Sequence, residues 1–96
     1  MAIVTFADKM TEDFFVHAKV NRKAGWAAVA SIAKRKLDMI HYAHEFMDLK
    51  VPPGNRLEAL SGNLKGYHSI RINDQWRIVF KWTAAGATEV EICDYH

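Results

Sequence analysis

From Gly66 onward the chain adopts a period of two. His68, Ile70 and Ile72 alternate with Tyr67, Ser69, Arg71 and Asn73. Trp76, Ile78, Phe80 and Trp82 alternate with Arg77, Val79 and Lys81, and Val90 and Ile92 with Glu89, Glu91 and Cys93. Such alternation describes strands with one buried face. Asp74-Gln75 and Ala84-Ala85-Gly86 interrupt it. The pattern therefore predicts a three-stranded antiparallel meander with one apolar face and one open face.

Register follows from the same pattern, because a one-residue slip sends every side chain to the wrong face. A loop at Asn73-Asp74-Gln75 pairs Ile72 with Trp76 and Ile70 with Ile78. It also places Arg71 directly opposite Arg77 on the open face. Pairing Phe80 with Val90 and Ile78 with Ile92 sets Lys81 against Glu89. Arg77 then faces Cys93, with Tyr95 on its diagonal. Like charges directly opposite in a sheet are destabilising. Two readings are open. The arginines await a phosphate or carboxylate ligand, or Glu91 neutralises them diagonally. The same register brings Asp94, Tyr95 and His96 toward Arg77. Histidine exchanges protons near neutral pH, and tyrosine stacks on bases or donates a hydrogen bond.

The N-terminal half supplies the cover for the apolar face. Met1–Phe6 is short, apolar and β-branched, which predicts a strand. Asp8 and Thr11 are candidate helix N-caps. Phe14, Phe15, Ala18 and Val20 form one side of a first helix, which Asn21–Gly25 ends. Trp26, Val29, Ala30, Ala33, Leu37 and Ile40 recur at three- and four-residue spacing, a second amphipathic helix. A further turn is expected in His44–Leu49, then a loop at Val51-Pro52-Pro53-Gly54-Asn55. The fold class is α+β: an N-terminal strand and a two-helix hairpin on one face of a small antiparallel sheet.

Ninety-six residues suffice for a single domain over 1–96. A folded chain of 11.0 kDa should expose roughly 5,600 Å². No apolar run approaches about 18 residues, and no signal-peptide pattern opens the chain, so no membrane role is expected. The lone Cys93 cannot form an internal disulfide, which fits a cytoplasmic location. Net charge is +2, spread evenly over the two halves. Any nucleic-acid contact must then rest on a local cluster of charge.

Other motifs carry less. His41, His44 and Glu45 have a metal-compatible spacing but no further ligands nearby, so surface histidines are expected. Gly62–Gly66 is neither a P-loop nor a dinucleotide fingerprint, and reads as a turn entering the sheet, with Lys65 in reach of phosphate or simply solvated. Cys93 lacks a partner for thiol catalysis. Trp26, Phe14 and Phe15 read as core.

Three stretches then carry a family resemblance: Pro-Pro-Gly-Asn-Arg-Leu-Glu-Ala-Leu (52–60), Ser-Ile-Arg-Ile-Asn-Asp-Gln-Trp-Arg-Ile (69–78) and Val-Glu-Ile-Cys-Asp-Tyr-His (90–96). From Pro52 onward the chain resembles the HigB-like toxins of the RelE superfamily, and the N-terminal half matches in layout. The resemblance implies a RelE-like fold and the toxin half of a bacterial type II toxin–antitoxin pair. It implies a ribosome-dependent mRNA endoribonuclease that cuts A-site codons without metal or other cofactor. It implies a HigA-like helix-turn-helix antitoxin as partner, and operator DNA bound through that antitoxin. By matching position, Arg77 would stabilise the scissile phosphate and Arg71 would support it. Asp94, Tyr95 and His96 match the functional C-terminal triplet, with His96 as general base or acid and Tyr95 orienting substrate.

One stretch departs from the family pattern. Where Leu-Lys-Gly-Asp-Arg is usual, this chain has Leu60-Ser61-Gly62-Asn63-Leu64. A neutral hydroxyl cannot supply the missing phosphate charge, and Lys65 is the nearest replacement in sequence. A weakened or non-catalytic homologue, acting mainly as an antitoxin-binding co-repressor subunit, is the alternative reading. A generic single-strand RNA-binding module is a third, but Tyr67 and Tyr95 offer it few stacking surfaces.

Overall fold

A computed structural model describes residues 2–94. Helix α1 (Lys9–His17) starts at Asp8, whose carboxylate accepts from the Thr11 N–H at 3.3 Å. It stops at Ala18, which takes a left-handed φ of 55°, with the Lys19 N–H closing onto the Asp13 carbonyl. A 3₁₀ turn over Gly25–Val29 leads into helix α2 (Ala30–Tyr42). The helical periodicity from Trp26 onward is thus shared between a 3₁₀ turn and an α-helix. Gly25 marks the entry because a Cβ there would meet the Trp76 indole, 2.6 Å from Cζ2.

Short 3₁₀ turns at Phe46–Lys50 and Pro53–Asn55 follow. The turn expected in His44–Leu49 is therefore present, shifted slightly toward the C-terminus. The sheet has four antiparallel strands in sequential order: β1 (Glu58–Ala59), β2 (His68–Arg71), β3 (Trp76–Thr83) and β4 (Gly86–Asp94). The three alternating strands are β2–β4. The short β1 is an addition, too brief to show a period in the sequence.

Ile70 pairs with Ile78 and Arg71 with Arg77, as the alternation requires. The Asn73 side chain organises the turn between them, accepting from the Gln75 and Trp76 N–H groups at 2.9 and 2.7 Å. The next hairpin is more complicated. Ala84-Ala85 is a two-residue turn, since Thr83 pairs with Gly86, Trp82 with Ala87 and Lys81 with Thr88. A bulge then shifts the register by one, so Val79 faces Glu91, Ile78 faces Ile92 and Arg77 faces Cys93. Glu89, at φ 55°, sits at this shift. The expected Lys81–Glu89 opposition is therefore corrected to Lys81–Thr88. The Lys81 ammonium lies instead 5.2 Å from the Tyr67 ring centroid.

The N-terminal segment covers the free edge of β4. Ile3 bridges Ala87 and Phe6 bridges Val90, both parallel. This is less than the continuous strand expected over 1–6. The bulge is the reason: it turns the Glu89 N–H away from a regular ladder and onto the Thr5 hydroxyl at 2.9 Å. Farther along the edge, the buried Thr11 hydroxyl accepts from the Ile92 N–H at 3.2 Å. An edge strand covered in this way is not free to pair with another chain.

Phe14, Trp26, Ala33, Leu37 and Ile40 meet Ile70, Ile78, Phe80, Val90 and Ile92 in one core. Phe14 and Trp26 pack with ring centroids 4.8 Å apart. Ala18 and Val20 are exposed rather than core, Ala18 because it is the left-handed cap and Val20 because it lies beyond the end of the helix. The solvent-accessible surface is 5820 Å², close to the size-based expectation. No helix among the described residues is long and apolar enough to cross a membrane.

Candidate functional site

The face of the sheet opposite the helices carries Ser69, Arg71, Arg77, Val79 and Lys81, by their alternation with the core residues. It is less open than the pattern suggests. Ser69 and Val79 are buried, and Arg77 is only 8% exposed. The Arg77 side chain reaches diagonally across to β2, where its Nε donates to Ser69 Oγ at 2.7 Å. Its Nη2 donates to the Arg56 carbonyl at 2.6 Å and to the Ser69 carbonyl at 3.3 Å. Glu58 on β1 stands 3.9 Å from Nε. Arg71 pairs with Asp74 at the adjacent turn.

These contacts correct the expectation of two uncompensated guanidiniums. Each has an acidic partner, and neither partner is the diagonal Glu91. Arg71 and Arg77 nevertheless remain directly opposite one another. Hydrogen bonds to backbone and hydroxyl acceptors fix the plane of the Arg77 guanidinium and do not themselves cancel its charge.

Asp94 lies opposite Trp76 at the end of β4, and its carboxylate accepts from Gln75 Nε2 at 3.0 Å. Asp94 is thereby drawn toward the Asn73–Gln75 turn, as the register requires. Tyr95 and His96 lie outside the described residues. Lys65 is exposed after the 3₁₀ turn Gly62–Leu64. Among the described residues Lys65 makes no ion pair.

Cys93 faces Arg77 but is no nucleophile. Burial, then the nearby Glu91 and Asp8, push its thiol up to about 12. His41 is a structural group, not a surface one. Its Nδ1 accepts from the Ile3 N–H at 3.2 Å, and its ring packs 5.2 Å from that of Phe15. Among the described residues, no group of three or more His, Cys, Asp or Glu side chains could hold a metal.

Sequence reasoning missed Ser69, Glu58 and the Arg56 carbonyl as the groups that hold Arg77. Ser69 was within reach, because the derived register puts it on the diagonal of Arg77 and on the same face. Glu58 was not, because its placement depends on the fourth strand.

Residues 4–96 match the family described as RelE-like toxin of type II toxin–antitoxin system HigB. The chain is 43% identical over 77 residues to Toxin HigB-1 of Vibrio cholerae serotype O1, covering 80% of each protein. It is 41% identical over 51 residues to an uncharacterized protein of Haemophilus influenzae, covering about half of each. Among solved structures, the whole chain superposes on 97% of a chain in the YoeB–YefM complex from Staphylococcus aureus, with a TM-score of 0.60 and 25% identity. It also superposes on 99% of the YoeB/ParE toxin from Agrobacterium tumefaciens, with a TM-score of 0.55 and 22% identity. The second likeness is one of fold alone.

Proposed function

The chain belongs to the HigB family of RelE-like toxins of type II toxin–antitoxin systems, and from that premise we propose that it is a ribosome-dependent mRNA endoribonuclease. The ribose 2′-oxygen attacks the adjacent phosphorus in line with the departing 5′-oxygen. The new O2′–P bond forms as the P–O5′ bond breaks, giving a 2′,3′-cyclic phosphate. One proton leaves the 2′-hydroxyl and one arrives at the 5′-oxygen.

His96 carries one of these protons, because an imidazole can hold or release a proton near neutral pH. Arg77 stabilises the charge that grows on the phosphoryl oxygens, and Arg71 supports it. Tyr95 orients the substrate and Asp94 supports the chain end that bears both. Lys65 contributes charge at the rim. No metal or cofactor is required in this scheme. The observation that carries the reading is the fixed guanidinium of Arg77, opposite Arg71 and held by Ser69 and the Arg56 carbonyl. The partner proposed is a HigA-like helix-turn-helix antitoxin, with operator DNA bound through it. The YoeB–YefM complex supports a protein partner by analogy of fold.

The test is cleavage of a defined message on translating ribosomes by the antitoxin-free protein. Cuts confined to the ribosome-occupied codon are expected, with Arg77→Ala and His96→Ala each lowering the rate at least about 100-fold. An intact message with the wild-type protein refutes the nuclease reading. It would favour the antitoxin-binding co-repressor alternative, which Ser61 and Leu64 motivate by replacing the usual basic residues.

A further inference from the structure

Lys36, on α2, occupies a position where a cation is costly. It is half-buried, and its ammonium donates to the Oδ1 of Asn55. Asn55 is fully buried. Its amide nitrogen donates to the carbonyls of Leu49 at 3.2 Å and Val51 at 3.4 Å. Those two bonds fix the amide orientation, since a flip would set its oxygen against two carbonyls. Lys36 is therefore tethered at one point by a neutral group.

No carboxylate pairs with Lys36 among the described residues. Its charged neighbours are other cations. Burial, then Arg35, then Arg71, hold its ammonium below the usual lysine range. Three other cations of the region do have acids: Lys34 pairs with Asp38, Arg71 with Asp74 and Arg77 with Glu58, whereas among the described residues Arg35, like Lys36, has no ion pair. Folding alone does not favour the Lys36 arrangement, because a methionine would cover the same apolar surface without a desolvated charge. A fixed cation beside other cations, with no acid to neutralise it, suits an anionic ligand.

The loop around Asn55 also sets where that ligand lies. Asn55 holds Lys36, and the carbonyl of the next residue, Arg56, holds Arg77. One short segment thus fixes both cations relative to each other.

We propose that Lys36 is a substrate-binding residue that contacts an RNA phosphate flanking the one served by Arg77 and Arg71, with Asn55 as its positioning residue. This rests on the chain acting on RNA held by the ribosome. A hydrogen bond to Asn55 leaves the ammonium two further donors for phosphate oxygens.

The experiment measures binding to programmed ribosomes across a salt series, alongside single-turnover cleavage. The proteins are the wild type, Lys36→Met, Lys36→Gln and Lys36→Arg. Lys36→Met should keep the thermal midpoint at or above wild type, because it fills the same space without a charge. Both neutral variants should bind roughly tenfold more weakly, with the slope of log affinity against log salt shallower by about one phosphate contact. The cleavage rate at saturation should stay within about twofold, and Lys36→Arg should restore most of the affinity.

Wild-type affinity and salt slope in a folded Lys36→Met protein overturn the proposal. So does weaker binding with an unchanged salt slope, which marks a structural role. If the wild type cuts nothing but binds with a Lys36-dependent slope, the nuclease reading fails and the phosphate contact stands. Ribosomes without message identify the source of the phosphate. Loss of the Lys36 effect assigns it to the message, and persistence assigns it to ribosomal RNA.

Discussion

Ser69 tests how Arg77 is held. Its hydroxyl is fully buried and accepts from Arg77 Nε at 2.7 Å. Ser69→Ala removes this acceptor from a charged donor inside the protein. Hydrogen bonds to charged groups contribute about 1.5–3 kcal/mol, so the substitution should destabilise the fold by about 2 kcal/mol. In a domain of this size that lowers Tm by about 10 °C. Arg77 retains the Arg56 and Ser69 carbonyls through Nη2. It therefore stays in place but can swing at the Nε edge. Misplacement of about 1 Å costs on the order of 100-fold in rate, so message cleavage should fall far more than stability alone explains.

The assay is a double-mutant cycle read by denaturant unfolding, with Arg77→Met as the second change. Ser69→Ala should cost much less in the Arg77→Met background, leaving a coupling of about 1–2 kcal/mol. Additive effects, or a Ser69→Ala protein with wild-type stability and cleavage, would refute the claim that this hydroxyl orients Arg77.

Three further outcomes follow from other parts of the fold. Ala18 caps α1 at a positive φ of 55°, so Ala18→Gly should raise stability by about 1 kcal/mol in the same unfolding assay. Thr11→Val leaves the Ile92 N–H on the β4 edge without the acceptor it has at 3.2 Å. It should cost about 1–3 kcal/mol, and hydrogen exchange at Ile92 should accelerate. Cys93 should resist alkylation at pH 8 in the native protein and react once unfolded. Its thiol is raised from 9.0 to about 12 in the fold, so the native state keeps a proton that the unfolded chain releases. Stability from this group is complete below about pH 9 and is lost as pH rises toward 12. Cys93→Ala should remove that alkaline slope from a pH series of unfolding curves.

The alternation after Gly66 determined much by itself. It placed β2 against β3 and set Arg71 opposite Arg77, because a slip of one residue would have exposed Ile70, Ile78 and Phe80. It also recovered the pairing of Arg77 with Cys93, although for an incomplete reason. The three-residue Ala84–Gly86 loop inferred from the pattern is a two-residue turn, and the Glu89 bulge supplies the missing residue. Both routes give the same register beyond the bulge. Only the stretch between turn and bulge differs, and there Lys81 meets Thr88 rather than Glu89. Helix periodicity likewise located Leu37, Ile40 and Trp26 in the core.

What the chain alone could not determine is which charges are neutralised. Arg77 obtains its partners from β1, from the Arg56 carbonyl and from a serine two strand positions away on the neighbouring strand. Lys36 and Asn55 meet across nineteen positions of sequence. Periodicity reports which face a side chain occupies, since that depends on local backbone geometry. It does not report what a long, flexible charged side chain reaches on that face. That depends on how the loop from Pro53 to Glu58 closes over the sheet, which only the tertiary structure decides.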